Sequence, residues 1–461
     1  MGPVSAFRIE DVVERGICVG CGACSAATGG KVSVTLGRLG VHSADLAGAG
    51  EEDRRRASRV CPFSDEAPDE DALDVPDPAS RHLPHDPRTG RHGRVLAGRR
   101  VGTDTLLESS SGGLTSWLLA ALLRSGEVDA VVHVARDGAE GGLFGYVVSD
   151  AAEAVEERKK SYYTAPTLAG VLEQVRARPG RYALVGVPCF VKAARALQRE
   201  DPVLAERLTL FVGLVCGHLK STFFAESLAW QAGVPPERLA DFDFRVKNPD
   251  RPANRYDYAA RAAGTTGPVV REVASAIDGS WGTGAFQPAA CDFCDDVFAE
   301  TADVVLGDAW LPEYVDEWRG TNVVVTRNAV VDALLDEGVA AGELELAPLD
   351  LEAAVASQGG NFRHRRDGLR VRLADDLAAG LPVPRKRVEP GLDHVTAERR
   401  ALIRRRRALS VLSLERFAAA RAAGDLTLYT APMRAAVAGV RPARAPLTRR
   451  IAARFRRLLR R

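Results

Sequence analysis

The chain holds 461 residues, 46% of them apolar, with 62 Lys plus Arg against 61 Asp plus Glu. At about 100–200 residues per domain there is room for two to four domains with a sizeable core, and the composition excludes wholesale disorder and collagen-like repeats. The longest uncharged run, Ser109 to Leu123, has 15 residues, short of the ~18–20 that cross a bilayer.

Met1 leads into a segment carrying Glu10, Asp11, Glu14 and Arg15 without an apolar h-region, so no signal peptide and a cytoplasmic location are expected. In that compartment the eight cysteines are expected as metal ligands, redox groups or buried apolar fillers, not as four disulfides. The near-zero charge conceals an asymmetry. Gly391 to Arg461 holds 18 Arg and no Lys against four acidic residues, a net of +14, which leaves −13 on the preceding 390 residues. Lysine is scarce throughout, seven in all, so part of the arginine reads as codon bias.

Residues 1–66 contain four of the eight cysteines and a short strand-like run, Lys31 to Leu36. Cys18-Val-Gly-Cys21-Gly-Ala-Cys24 sets three thiols at two-residue spacing, and the fourth, Cys61, is followed at once by Pro62. An iron–sulfur cube needs thiolates from several directions: a loop wrapped around it supplies three, and a distant Cys-Pro the fourth. Gly20 and Gly22 let backbone N–H groups face the sulfides without a Cβ in the way. Zinc knuckles usually bring two pairs of thiols, for which this spacing is unusual. The pattern predicts a ferredoxin-like module with one 4Fe-4S cluster on Cys18, Cys21, Cys24 and Cys61, although the 37-residue step to Cys61 is long.

From Glu66 to Gly93 the chain is rich in Pro, Asp and His with no apolar period, which predicts an exposed linker over 67–93. Between 94 and 375, strand-like runs alternate with helix-like ones. Val128–Val134, Tyr182–Val187, Leu208–Val215, Val304–Gly307 and Val323–Thr326 read as strands; Leu114–Arg124, Val191–Arg199, Phe223–Gln231 and Val330–Glu337 read as helices. The alternation predicts an α/β domain with two lobes. A basic helical tail is expected over 376–461. Within it, Leu447, Ile451, Phe455 and Leu458 share one helical face between Pro446 and Arg461, amid six arginines. That face suits an anionic membrane surface or an acidic partner; a solvated tail is the bland alternative, and no nucleic acid is expected.

The other four cysteines are Cys189, Cys216, Cys291 and Cys294. Cys189 and Cys216 follow apolar strands, and Cys291-Asp-Phe-Cys294 is a CxxC. In an open parallel sheet the strand C-termini converge on one ligand-binding edge, where these four could supply thiolates to a second cluster. Zinc and unliganded core cysteines stay equally open from spacing. Ser109-Ser-Ser-Gly-Gly113 ahead of Leu114 makes an anion-binding helix start or an ordinary cap. Neither a GxGxxG nor a P-loop pattern occurs.

In order, SSSGGLTSWLLAALLRSGEVDAVV, KKSYYTAP, YALVGVPCFVKAARAL, LFVGLVCGH, CDFCDDVFAETADVVLGDAW and GTNVVVTRN make the chain resemble the family of coenzyme F-420 hydrogenase/dehydrogenase beta subunits over about Arg94 to Gln358. The resemblance implies an FAD and iron–sulfur domain over 94–375, with a second 4Fe-4S cluster on Cys189, Cys216, Cys291 and Cys294. It puts FAD near Ser110, Ser111, Gly112, Gly113 and Thr115. Lys160, Ser161 and Tyr162 stand where the family has a Ser-Lys-Tyr run, in changed order, and imply a further flavin contact. Asp308 and Asn322 fall where the family places loops near cofactors, though Asp308 also suits a plain turn after a strand.

The implied activity is an oxidoreductase passing electrons between clusters and a hydride donor or acceptor at the flavin, with a ferredoxin or other redox protein as partner. Coenzyme F-420 is one candidate substrate; ferredoxin-dependent reduction of a different organic substrate is the alternative. An alternative of another class is a non-catalytic zinc-binding adapter. His218 and Tyr162 are candidate proton donors by adjacency alone. No hydrogenase active-site cysteines are visible, so this chain is not expected to handle H2 by itself. A peripheral place at the inner membrane face is compatible with the tail.

Overall fold

The computed structural model describes residues 6–73, 78–136, 142–158, 160–164 and 166–440. After the cysteine loop come a hairpin, β1 (Ser33–Leu36) and β2 (His42–Asp45), and the helix Glu51–Val60. A small hairpin, β3 (His85–Asp86) and β4 (Gly90–Arg91), follows. The chain then runs through β5 (Val95–Arg100), β6 (Ala130–Ala135), β7 (Gly145–Ser149), β8 (Tyr182–Gly186) and β9 (Leu208–Leu214). Next come β10 (Leu239–Val246), β11 (Asp257–Ala262) and β12 (Val269–Glu272), a separate antiparallel sheet. Last are β13 (Val304–Asp308), β14 (Asn322–Thr326) and β15 (Leu344–Pro348).

Eight strands form one sheet in the order β15-β5-β14-β13-β9-β8-β6-β7. The central four, β6, β8, β9 and β13, are parallel; β7 on one side and β14, β5 and β15 on the other are antiparallel. Parallel strands need cover on both faces, which is why they read as continuous apolar runs. Neighbouring residues divide between two cores. Val131, Ala183, Val212, Val304 and Val324 pack with Leu114, Leu118 and Leu122 of the helix Leu114–Arg124. Val132, Leu184, Phe211, Val305 and Val325 pack with Phe190, Val191 and Leu197 of the helix Pro188–Glu200. A third core joins β10 and β11 to the C-terminal helices through Phe242, Phe244, Tyr258, Phe286, Phe417 and Tyr429. The fold is thus mixed α/β, with the helices Leu114–Arg124 and Phe223–Gln231 at their predicted bounds. Strands β2 to β5, β7, β10 to β12 and β15 were not predicted.

Three expectations need redrawing. The stretch 67–93 is not a free linker. Glu70 is buried against Lys192 at 3.3 Å and Arg387 at 3.5 Å, and the buried guanidinium of Arg327 takes Thr89 O at 2.7 Å and Arg91 O at 2.6 Å. Its carbonyls satisfy a cation that would otherwise be stranded. The N-terminal region shares the core of the sheet: Ile9, Val12, Ala57 and Val60 belong with Phe190 and Leu197. Leu168 N donates to Cys21 O at 2.9 Å, and a Cβ on Gly22 would stand 2.5 Å from Ala169 N.

The C-terminal helices Ala397–Ala423 and Thr427–Val440 are packed as well, and their charge is partly spent inside the molecule. Arg404 pairs with Asp375 and Arg407 with Asp376, both at 2.6 Å, and Arg421 lies 3.4 Å from Glu226. The amphipathic stretch Pro446 to Arg461 lies outside the described residues. Among those described, no helix is long and apolar enough to cross a membrane.

Arg195 joins helix and sheet. It donates to Asp303 Oδ2 at 2.8 Å and Thr301 O at 3.0 Å, and lies 3.9 Å above the Phe211 ring. Removing one partner of a buried pair strands the other charge, so Arg195→Met should destabilise the protein by about 3–5 kcal/mol. Guanidinium-induced unfolding beside wild type measures this; a loss under about 1 kcal/mol, the ceiling for exposed pairs, would refute it.

Candidate functional site

The carboxyl ends of β6, β8, β9 and β13 open into a cavity of about 270 Å3, where open parallel sheets take ligands. Its wall includes His133 from β6, Val187 after β8, Cys216 and His218 after β9, and Asp308 at the end of β13. Asn322 heads β14, which runs the opposite way and therefore begins at this edge.

The Ser-Gly segment lies along the cavity and starts the helix Leu114–Arg124. Gly113, at φ 77°, is the helix N-cap, a left-handed conformation that favours glycine. A Cβ on Gly112 would stand 2.7 Å from Asn322 Oδ1 and 2.9 Å from Gly98 O. Asn322 pins the segment: its Oδ1 accepts from Leu114 N at 3.2 Å, and its Nδ2 donates to Gly307 O at 3.0 Å and Ser111 Oγ at 3.3 Å. Ser111 Oγ donates to Asp308 Oδ1, and Asp308 Oδ2 accepts from Arg245 at 2.7 Å. Lys247 Nζ donates to Leu106 O and Ser111 O, both at 2.7 Å. Burial pushes that ammonium down to about 7.

Ser110, Ser111, Gly113, Thr115, Lys160, Ser161, Tyr162, Asp308 and Asn322 all line the cavity; Gly112 stands behind it. Ser161 N donates to Ser110 Oγ at 2.8 Å, joining the two segments that the sequence separates. Lys160 is held by Asp243 at 2.7 Å. Asp308 ends β13 and bonds the Ser-Gly segment. Burial pushes the Tyr162 phenol up to about 12, which keeps it protonated at neutral pH. His218 stacks on Trp281 at 4.5 Å with Nε2 buried and unpartnered. Burial first, then Lys220, holds it well below the ordinary imidazole value, so it faces the cavity neutral. Sequence reading missed His133, Arg245, Lys247 and Trp281.

All eight cysteines are free thiols. Cys18, Cys21, Cys24 and Cys61 ring a small pocket with Pro62 and Phe63. Burial pushes Cys21 up to about 12, and Cys18 adds to the shift. Cys189 stands in the first turn of the helix Pro188–Glu200, not at the strand end where it was expected. Burial, then Cys294, Cys216 and Cys291, holds its thiol well above the ordinary value, so these four also face one another. Donors point at the sulfurs: Gly20 N and Ala44 N at 3.4 Å from Cys18, Leu219 N at 3.3 Å from Cys291, and Arg365 Nη2 at 3.2 Å from Cys216.

Tyr146 lies near a cysteine of each set. It lines the cavity, stacks on Phe190 at 6.0 Å, and has its phenol raised by burial and then by Cys189 and Cys21. Among the described residues, no three His, Cys, Asp or Glu side chains lie close enough to hold a single metal ion.

Two family models for the beta subunit of coenzyme F420 hydrogenase/dehydrogenase match the chain, the N-terminal one over residues 95–173 and the C-terminal one over residues 180–352. A subunit of the F(420)H(2) dehydrogenase of Methanosarcina mazei is 29% identical over 217 residues. That alignment takes in 45% of this chain and 56% of the relative, so the chain spans little more than half of the curated protein's length. A chain of the F420-reducing NiFe hydrogenase complex from Methanosarcina barkeri, solved as a xenon derivative, superposes with a TM-score of 0.46 at 18% identity, covering 61% of this chain and 93% of that one.

The cavity wall carries a pH signature. His133 Nε2 meets Ser149 Oγ at 2.9 Å, and burial, then Arg158, pushes the imidazole from 6.5 down to about 4. Between those values the unfolded chain binds the proton and the folded one does not, so stability is full above about 6.5 and falls towards pH 4. At 1.36 kcal/mol per pKa unit, wild type should lose about 3 kcal/mol more than His133→Gln over that interval. Urea unfolding at a series of pH values checks this; parallel curves would refute it.

Proposed function

Because the chain belongs to the family of coenzyme F420 hydrogenase/dehydrogenase beta subunits and is part of an oxidoreductase, we propose that it binds FAD in the cavity and one 4Fe-4S cluster on each thiol set, with coenzyme F-420 as the first candidate for hydride exchange. One observation carries this reading: Cys216 of the second set forms part of the cavity wall, as does Tyr146, which lies near enough to Cys189 and Cys21 for them to raise its phenol. The second set would then adjoin the cavity, with the first set on the far side of Tyr146.

The residues suit these groups. Both thiol sets are buried among apolar side chains and supplied with N–H donors, as cluster sulfurs require. The Ser-Gly segment offers hydroxyls and a helix start to a pyrophosphate, and Arg158 and Lys160 on the wall add positive charge. Bound there, FAD would exchange single electrons with clusters and a hydride with an organic partner. Asp308 and Asn322 hold the Ser-Gly segment in shape, and Lys247 fixes its outer carbonyls. Neutral His218 offers a hydrogen bond without a charge, and protonated Tyr162 another.

Cys18 is the one thiol of the eight that is only half-buried, so a redox partner, a ferredoxin or another protein of the same complex, would exchange electrons at the first set. The same geometry serves a reductase of a different organic substrate, and turnover of reduced coenzyme F-420 with an artificial one-electron acceptor separates the two. Inert but coloured protein would move the choice to that alternative.

Anaerobically purified protein should be brown, hold about eight irons per chain on its two sets of thiolates, and release FAD on denaturation. Cys61→Ala and Cys291→Ala should each halve the iron. Gly112→Ala should lower FAD retention at least tenfold while leaving the far-UV spectrum unchanged, because its Cβ must displace Asn322 or strand β5. Colourless protein with stoichiometric zinc would overturn the proposal in favour of an adapter.

A further inference from the structure

Beyond the stretch matched by the family models, the chain forms a π-helical turn, Arg363–Gly368, between the short helix Gly359–Phe362 and the helix Leu369–Ala378. Such turns cost regular hydrogen bonding and gather at functional sites. This one turns Arg365 inward, where it is only 2% exposed. Its Nε donates to Gly217 O at 2.9 Å, its Nη2 lies 3.2 Å from Cys216 Sγ, and its Nη1 is buried without a partner.

A buried guanidinium ordinarily has a carboxylate beside it. Among the described residues, Arg365 has none within ion-pair distance. Of the nearby acids, Asp292 pairs with Arg372 at 3.3 Å and Arg407 at 3.6 Å, and Asp295 and Glu300 pair with Arg387 at 3.3 and 2.6 Å, while Asp296, whose Oδ1 is buried without a partner, makes no ion pair with Arg365. The groups that favour its charge against burial are Cys294, Cys216, Cys291 and Cys189. The anion it answers is therefore the second thiol set with whatever that set holds.

We propose that Arg365 is the counter-cation of the second cluster and sets its reduction potential, an inference that rests on the two-cluster reading above. Uptake of one electron adds one negative charge to the cluster. A fixed positive charge with an N–H at a ligand sulfur stabilises the reduced form more than the oxidised one, and so raises the potential. The same side chain holds Gly217, between Cys216 and His218 of the cavity wall, so it positions the segment that separates cluster from cavity.

The test is a dithionite titration of the full-length protein, followed by electron paramagnetic resonance, for wild type, Arg365→Met, Arg365→Lys and Arg365→Gln, with iron counted in each. The expected result is a lower midpoint potential for the second cluster in Arg365→Met, an unchanged first cluster, and a value near wild type in Arg365→Lys. A second-cluster potential equal to wild type in Arg365→Met overturns the inference alone. Should that variant load no second cluster, the charge-keeping Lys and the neutral Gln variants decide. A cluster kept in Lys and lost or shifted down in Gln supports the inference; like behaviour in both overturns it. Wild-type protein with iron for a single cluster would instead overturn the two-cluster reading itself.

Discussion

β6, β8, β9 and β13 run the same way, so their carboxyl ends share one edge and every following segment must leave the sheet from it. After β8 the chain turns into a helix and sets Cys189 in its first turn; after β9 it lays down Cys216, Gly217 and His218; β13 ends on Asp308. The antiparallel β14 contributes its first residue, Asn322, to the same place. The cavity and the second thiol set are two products of this single constraint. They adjoin because consecutive residues after β9 serve both. A strand reversed anywhere among the four would part them.

Around that edge, arginine is the principal fastener. A guanidinium has five donors in a planar fork and can tie several chain segments at once, which an ammonium does less specifically. Arg327 gathers carbonyls from Thr89, Arg91 and Ala302. Arg387 brings the segment before the C-terminal helices onto Glu70, Asp295 and Glu300. The acidic body and the basic C-terminal region are therefore partly complementary surfaces of one molecule, with Arg404, Arg407 and Arg421 bonded inward. Read as a total, the charge suggested an anchor; read as contacts, part of it is adhesion within the molecule, while nine of the eighteen arginines, from Arg441 on, lie outside the described residues.

The parts legible in the sequence were those that one short stretch determines. Cys18, Cys21 and Cys24 declare themselves by spacing, and the helix Leu114–Arg124 by an apolar run after two glycines. Strands β8 and β9 were visible because both faces are covered and the apolar run is unbroken. β5 was hidden by its Gly98, Arg99 and Arg100, and β10 by the acidic residues that alternate with Phe242 and Phe244. Arg245, His133 and Trp281 reach the cavity only through tertiary packing, which leaves no local mark. Lysine was a signal read only in part: in a chain with seven, Lys160 was singled out, but Lys247, which holds the Ser-Gly segment, and Lys220, 4.7 Å from the Trp281 ring, were not.

The two thiol sets also differ in how much chain each needs. The first is drawn from residues 18 to 61, and the second from residues 189 to 294, with Arg365 arriving later still. A protein emerging from the ribosome is folded from its N-terminus onwards, so the two sets become complete at different moments in its synthesis. The first has all its sulfurs early but lacks the apolar backing of Leu168 and Phe190. The second gains its sulfurs and its guanidinium only when most of the polypeptide exists, and the helix Ala397–Ala423 then sets Arg407 against Asp292. The order of the chain therefore gives the two sets a direction of completion: the first has all its sulfurs while most of the chain is still to come, and the second meets its guanidinium only after its last cysteine.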